Sequence, residues 1–171
     1  YNPNMERLEQ CVNAVLGQVR HIVIFDNGSI NISNIKELVV KSSKNVSVID
    51  NGKNDGIAAA LSKIMLFAKT NNYKWVLTLD QDSVLQEGIV NCYLETANST
   101  EYVNAGMITC LIKDRNFYDE KNEKQKARVI SVPCCITSGA FTSVNKYFVT
   151  SGYDEKFFID CVDFDICYSL K

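Results

Sequence analysis

The stretch Trp75-Val-Leu-Thr-Leu-Asp80-Gln-Asp82-Ser83 joins a run of apolar and β-branched residues to two aspartates that are one residue apart. Such a short run is typical of a strand that is buried on both faces. Ligands of open α/β sheets bind at the carboxyl ends of such strands. Two carboxylates at that place are hard oxygen ligands that can share one divalent cation. The alternative is a polar loop in which the two aspartates only cap the next helix.

Length and composition limit the classes of protein to consider. The 171 residues fit one domain with a sizeable core, and the hydrophobic fraction of 46% is ordinary for a globular chain. A net charge of −2 gives no electrostatic basis for binding nucleic acid. No apolar run approaches the roughly 20 residues that are needed to cross a bilayer. We therefore expect a cytoplasmic protein without a nucleic-acid partner.

The cysteine pattern argues against a structural zinc site. There are seven cysteines, an odd number, and none forms a C-x-x-C pair. They stand in apolar contexts, which predicts buried and reduced thiols. Their positions are Cys11, Cys92, Cys110, Cys134, Cys135, Cys161 and Cys167.

The predicted helices and strands alternate in the first half of the chain. The apolar spacing predicts helices from about residue 5 to 17, from a cap at Ser33, and from 57 to 70, with Asn2 or Asn4 capping the first. Strands are expected over 21–25, 46–49 and 75–79. This alternation implies a parallel, doubly wound sheet of the α/β class.

The second half has weaker signals. We expect a helix over about 87–97, strands over about 105–112 and 129–132, and a tight turn over 137–140. The segment from 113 to 128 is rich in charges without periodicity, which predicts a solvated loop.

A second carboxylate cluster follows two phenylalanines near the end of the chain, at Asp160, Asp163 and Asp165. Asp163 precedes apolar residues at helical spacing, so we expect it at a helix start. The helix dipole and free amides stabilise a carboxylate there. That is the structural interpretation. The functional alternative is a general base that takes a proton from an attacking hydroxyl.

Six segments, in this order, resemble the inverting, nucleotide-sugar-dependent glycosyltransferases of the second family, especially the rhamnosyltransferase-like branch. The resemblance covers nearly the whole chain. The segments are Tyr1-Asn2-Pro3, Phe25-Asp26-Asn27-Gly28-Ser29, Asn54-x-Gly56-Ile57-Ala58, Asp80-Gln81-Asp82-Ser83, Thr137-Ser138-Gly139 and Phe157-Phe158-Ile159-Asp160-x-Val162-Asp163-x-Asp165.

The resemblance implies a fold and a set of site residues. It implies a single-domain GT-A-type, Rossmann-like α/β/α sandwich with a mostly parallel central sheet. The catalytic domain would span residues 1–171, with the family's first strand and C-terminal region outside the sequence. Asp163 corresponds to the catalytic base, and Asp82 with Asp80 to the metal ligands. The implied donor and substrate-binding residues are Tyr1, Asp26, Asn54, Gly56, Asp80, Ser138 and Asp160, with Asp26 at the nucleobase.

The resemblance also implies an activity and its partners. A sugar, rhamnose for this branch, would pass from a dTDP- or UDP-sugar donor to a glycan or lipid-linked acceptor hydroxyl with inversion. The cofactor would be Mg²⁺ or Mn²⁺. The product would belong to polysaccharide or cell-surface glycan synthesis. Peripheral membrane contact would come through the C-terminal region, at the inner face of the membrane.

Two other functions fit parts of the sequence. Val76-Leu-Thr-Leu-Asp80-x-Asp82 also fits a haloacid-dehalogenase-type phosphatase, in which Asp80 is the nucleophile and Asp82 the acid/base. That fold places the motif on its first strand, whereas here about eighty residues precede it. The other alternative is a non-catalytic nucleotide-sugar-binding module, which would not hydrolyse the donor.

Overall fold

The computed structural model describes residues 1–113 and 128–171. The expected charged loop therefore lies, apart from its two end residues, outside the described residues. Among the described residues no helix has the length and apolar character needed to cross a membrane. The elements are α1 Met5–Val15, β1 Ile22–Asp26, α2 Ile32–Lys41, β2 Val46–Asp50, α3 Ile57–Thr70, β3 Trp75–Thr78, α4 Ile89–Asn98, β4 Met107–Ile108, β5 Ala140–Ser143, α5 Val144–Tyr147 and α6 Val162–Ser169.

The predicted α/β fold with a parallel sheet is confirmed, with an antiparallel part that the sequence did not predict. β1 and β2 pair in parallel, from Ile22 opposite Val46 to Asp26 opposite Asp50. β5 lies between β3 and β4 and is antiparallel to both. Parallel pairing among the described strands is thus confined to β1 and β2. The helix–strand alternation could not predict β5, because β5 directly follows the turn at 137–139.

The predicted capping residue is correct for α1 and wrong for α2. Asn4 caps α1, since its Oδ1 accepts a hydrogen bond from the Arg7 amide at 3.1 Å. The predicted cap of α2 at Ser33 is wrong, because α2 begins at Ile32 and Ser33 lies in its first turn. α3 spans the predicted 57–70.

Two of the predicted strands are corrected. The strand expected over 105–112 is reduced to Met107–Ile108. The strand expected over 129–132 is absent from the described structure, where its side chains Val129, Ile130 and Val132 are 48%, 57% and 48% exposed. β-Branched residues favour a strand only where a neighbouring strand and a core can receive them.

The main core fixes α6 against α3. Ala58, Met65 and Ile166 are at most 1% exposed and lie in one cluster with Val162 and α5 residues. Full burial of an aliphatic side chain such as Ile166 contributes about 1.5–3 kcal/mol. A second cluster joins α1 and α2 to β2. The buried face of α6 therefore sets the position of Asp163 on its first turn.

Candidate active site

The 137–139 turn brings Asp80 and Asp163 to the same edge of the sheet. β3 and β5 are antiparallel, so the end of β3 at Thr78 faces the start of β5 at Ala140. Ser138 Oγ accepts a hydrogen bond from the Asp80 amide at 3.0 Å. The neighbouring Thr137 amide donates to Asp163 Oδ1 at 2.9 Å. One turn thus holds both carboxylate-bearing segments.

The electrostatics confirm that these acidic groups are neighbours. Partial desolvation raises the pKa of Asp80 above its ordinary value, and the negative charge of Asp82 raises it further. A hydrogen bond from Ser138 opposes this shift, and Asp163 adds a smaller upward contribution. Asp80 therefore lies close enough to both Asp82 and Asp163 to be affected by their negative charges.

Asp82 already has one cationic partner. Its Oδ2 lies 3.5 Å from Arg7 Nη1, and the two side chains are 50% and 51% exposed. An exposed pair of this kind is worth about 0–1 kcal/mol, so it leaves Asp82 able to exchange partners. Tyr1 lies on the same side, since its α-amino group is 3.5 Å from Gln81 Oε1.

The residues after β3 fit a divalent cation that is shared with substrate. Asp82 and Asp80 supply carboxylate oxygens, the ligands that Mg²⁺ and Mn²⁺ prefer. The negative charge of Asp82 also acts on Asp80, so a cation between them would relieve repulsion. Within residues 1–113 and 128–171, no group of three or more His, Cys, Asp or Glu side chains is arranged to hold a metal. The remaining ligands would therefore be phosphate oxygens and water, as is common for Mg²⁺.

Asp26 is buried at the end of β1, with 2% of its surface exposed. Its Oδ2 accepts hydrogen bonds from the amides of Gly28 at 3.1 Å and Ser29 at 2.9 Å. Gly28 has φ +81° and lies so close to the Lys53 backbone that a Cβ would come within 2.7 Å. Asp26 therefore shapes the turn, a role that the sequence reasoning missed. Its contact with a nucleobase stays a prediction.

Asn27 is the residue that sequence reasoning overlooked as part of the site. Its Nδ2 donates to Asn54 Oδ1 at 2.9 Å and to the Gly56 carbonyl at 3.0 Å. Its Oδ1 accepts from the Asp55 amide at 3.2 Å. The sequence feature that could have identified Asn27 is its position next to Asp26 in the D-N-G-S segment. Asn27 thus joins the end of β1 to the start of α3.

Gly56 brings the segment before α6 against α3. Its φ is +87°, and a Cβ there would lie 2.6 Å from the Phe158 carbonyl oxygen. That carbonyl accepts a hydrogen bond from the Ile57 amide at 2.6 Å. The Asn54–Gly56 segment and the Phe157–Asp163 segment, distant in sequence, therefore meet.

The other two aspartates of this segment have different surroundings. Asp160 is exposed in the turn that leads into α6. Asp165 Oδ2 accepts a hydrogen bond from the Asp154 amide at 3.2 Å. Among the three aspartates of this segment, Asp163 is the one whose carboxylate contacts the 137–139 turn in the described contacts.

Comparison with known proteins adds the family context. A family model described as Glycosyl transferase family 2 matches residues 1–150. The dTDP-rhamnosyl transferase RfbF of Shigella flexneri is 24% identical over 181 residues, covering 98% of this chain and 59% of that protein. The chain thus spans about three fifths of the length of that relative. Residues 151–171, which include Asp163, lie outside the range of the family match.

Proposed function

The chain belongs to glycosyl transferase family 2, and we propose that it transfers a sugar from a nucleoside-diphosphate donor to an acceptor hydroxyl with inversion. The observation that carries this proposal is the 137–139 turn, which contacts the Asp80 and Asp163 segments within 3.0 Å. The similarity to a dTDP-rhamnosyl transferase supports dTDP-rhamnose as the first donor to test. A glycan or lipid-linked hydroxyl is the proposed acceptor, in polysaccharide or cell-surface glycan synthesis.

Asp163 is the proposed general base. Its Oδ1 accepts the Thr137 amide, which fixes the carboxylate on the first turn of α6. As the acceptor oxygen attacks the anomeric carbon, Asp163 takes the hydroxyl proton, and the bond from that carbon to the diphosphate breaks. A single in-line displacement inverts the anomeric centre. Holding the two substrates in register supplies much of the remaining acceleration.

Asp82, supported by Asp80, would hold Mg²⁺ or Mn²⁺. Such an ion, when bound, supplies positive charge that neutralises the departing diphosphate. The chain's own contribution is the arrangement of two carboxylates after β3, with Ser138 Oγ accepting a hydrogen bond from the backbone amide of the first of them, Asp80. Asp26, Asn54 and Gly56 are proposed to border the donor, with the nucleobase nearest Asp26.

Ligand binding and donor hydrolysis test the function directly. Calorimetric titration with dTDP, UDP and dTDP-rhamnose, each with and without Mn²⁺, should show nucleotide binding that depends on the metal. The protein should also hydrolyse dTDP-rhamnose slowly and release dTDP. Tight binding without any hydrolysis would favour the non-catalytic binding module. Release of phosphate from phosphate monoesters, with no nucleotide binding, would favour the phosphatase.

A further inference from the structure

Three cysteine sulfurs gather beside the proposed base. Cys134 and Cys135 precede the 137–139 turn, and Cys167 lies on α6, four residues after Asp163. The sulfurs of Cys135 and Cys167 are 3.9 Å apart, and all seven cysteines are free thiols in the structure. A disulfide bond measures about 2.0 Å, so the two sulfurs need to approach by roughly 2 Å.

Backbone contacts keep this pair in register. The Cys135 amide donates to Cys167 Sγ at 3.4 Å, and the Cys167 thiol donates to the Cys135 carbonyl at 3.5 Å. Cys135 Sγ also contacts Met107 Sδ at 3.4 Å. The Cys167 sulfur is therefore held against the backbone of Cys135.

The same segments position Asp163. Thr137, two residues after Cys135, donates its amide to Asp163 Oδ1 at 2.9 Å. The Cys134 thiol lies 3.9 Å from the Asp163 carbonyl oxygen. Movement of Cys135 toward Cys167 would thus shift both partners of the hydrogen bond that fixes the carboxylate. A displacement of about 1 Å in a catalytic group costs on the order of 10²-fold in rate.

We propose that Cys135 and Cys167 form a reversible disulfide that displaces Asp163 and lowers sugar transfer; the effect on transfer rests on the proposed function. With hydrogen peroxide as oxidant, one thiolate attacks a peroxide oxygen, giving a sulfenic acid and, after protonation, water. The second thiol then attacks the sulfenic sulfur, loses its proton and releases a second water. Two thiols and one peroxide thus give one disulfide and two waters.

The surroundings of the pair indicate a slow response. Burial and, to a smaller extent, the neighbouring Cys167 raise the pKa of Cys135 to about 12. Because the thiolate is the reacting form, oxidation at neutral pH should be slow and should accelerate as the pH rises.

Peptide mapping of the oxidised chain tests the proposal. The protein is treated with hydrogen peroxide at pH 8.5, remaining thiols are alkylated, and disulfide-linked peptides are identified by mass spectrometry. Donor hydrolysis is measured before oxidation, after it, and after dithiothreitol. Cys135→Ser and Cys167→Ser are the test variants. Cys92→Ser, which removes an exposed thiol on α4, is the matched control.

The expected result is a Cys135–Cys167 cross-link in the parent and in Cys92→Ser, with hydrolysis reduced on the order of 10²-fold and restored by dithiothreitol. Both test variants should keep their hydrolysis after peroxide. A different disulfide, or none, would overturn the proposal, as would a correct cross-link without loss of hydrolysis. If the reduced parent shows no hydrolysis, the proposed function fails, while the mapping still decides whether this disulfide forms.

Discussion

At the scale of single residues, the structure gives Asp80, Asp82 and Asp26 different surroundings. Asp82 is half exposed and weakly paired with Arg7. Asp80 has a raised pKa because of partial desolvation and the charge of Asp82. Asp26 is buried and holds two amides of its own turn. The exposure of Asp82 leaves it available to a metal, whereas the burial of Asp26 predicts that it is the most important of the three to folding.

Asp82→Ala should remove the metal dependence of nucleotide binding. Loss of one of two proposed carboxylate ligands should weaken Mn²⁺-dependent dTDP binding by at least about tenfold, and EDTA should do the same to the parent. Calorimetric titration measures both. Glu37→Gln, which removes an exposed carboxylate on α2, is the control and should bind like the parent. Equal affinities for the parent with Mn²⁺, the parent in EDTA and Asp82→Ala would end the metal hypothesis.

Asp26 needs two substitutions, because its carboxylate has a structural role. Asp26→Ala leaves two amides of the turn without their acceptor and should destabilise the fold by about 1–3 kcal/mol. Asp26→Asn keeps an acceptor oxygen and should stay closer to parental stability while still weakening nucleotide binding. Chemical denaturation and dTDP titration measure the two effects. Parental dTDP affinity in a folded Asp26→Asn variant would remove Asp26 from the nucleobase site.

At the scale of elements, the start of α3 is the point where distant segments meet. Gly56 contacts Phe158, and Asn27 contacts Asn54. Gly56 was identified from the sequence as part of a motif beside the donor. Its tight approach to Phe158 could not be predicted, since the residues are 102 positions apart and only the packing of α6 on α3 brings them together.

Gly56→Ala should therefore destabilise the protein more than Gly52→Ala. Both glycines have positive φ values, +87° and +70°, so both substitutions carry a backbone cost of about 1–2 kcal/mol. At Gly56 the new Cβ would also meet the Phe158 carbonyl at 2.6 Å, whereas nothing lies within 4 Å at Gly52. Chemical denaturation should rank the two variants in that order. A Gly56→Ala variant as stable as Gly52→Ala would show that the close approach is absent in solution.

The loop between β2 and α3 should contribute to stability in a pH-dependent way. Hydrogen bonds from Asn51, Lys53 and Lys63 lower the pKa of Asp55 well below its ordinary value of 3.8. Because the pKa of Asp55 is lower in the folded than in the unfolded state, its carboxylate stabilises the folded state at pH values above its ordinary pKa. This stabilisation is lost as the pH falls through the folded-state pKa. The melting temperatures of Asp55→Asn and the parent should differ at pH 7 and converge in acid. A constant difference down to pH 2 would contradict this.

At the scale of the whole molecule, the sequence predicted the α/β class, the position of β3 and the carboxylate on the first turn of α6. These features depend on local patterns of apolar residues, which a sequence shows directly. The antiparallel β5 and the absence of a strand at 129–132 depend on which strands become neighbours. The contacts of Asn27 and the 137–139 turn likewise arise from tertiary packing, so sequence patterns alone could not predict them.

We propose that one site, built from the Asp80–Asp82 segment and Asp163, transfers a sugar from a nucleotide donor. Asp163→Asn keeps the size of the side chain and an acceptor for the Thr137 amide but removes its basicity. The decisive measurement compares dTDP-rhamnose binding and sugar transfer by the parent and Asp163→Asn, using the full-length protein and a working acceptor. We predict parental donor affinity with transfer reduced by roughly 10²–10⁴-fold. Near-parental transfer by Asp163→Asn would show that Asp163 is not the base.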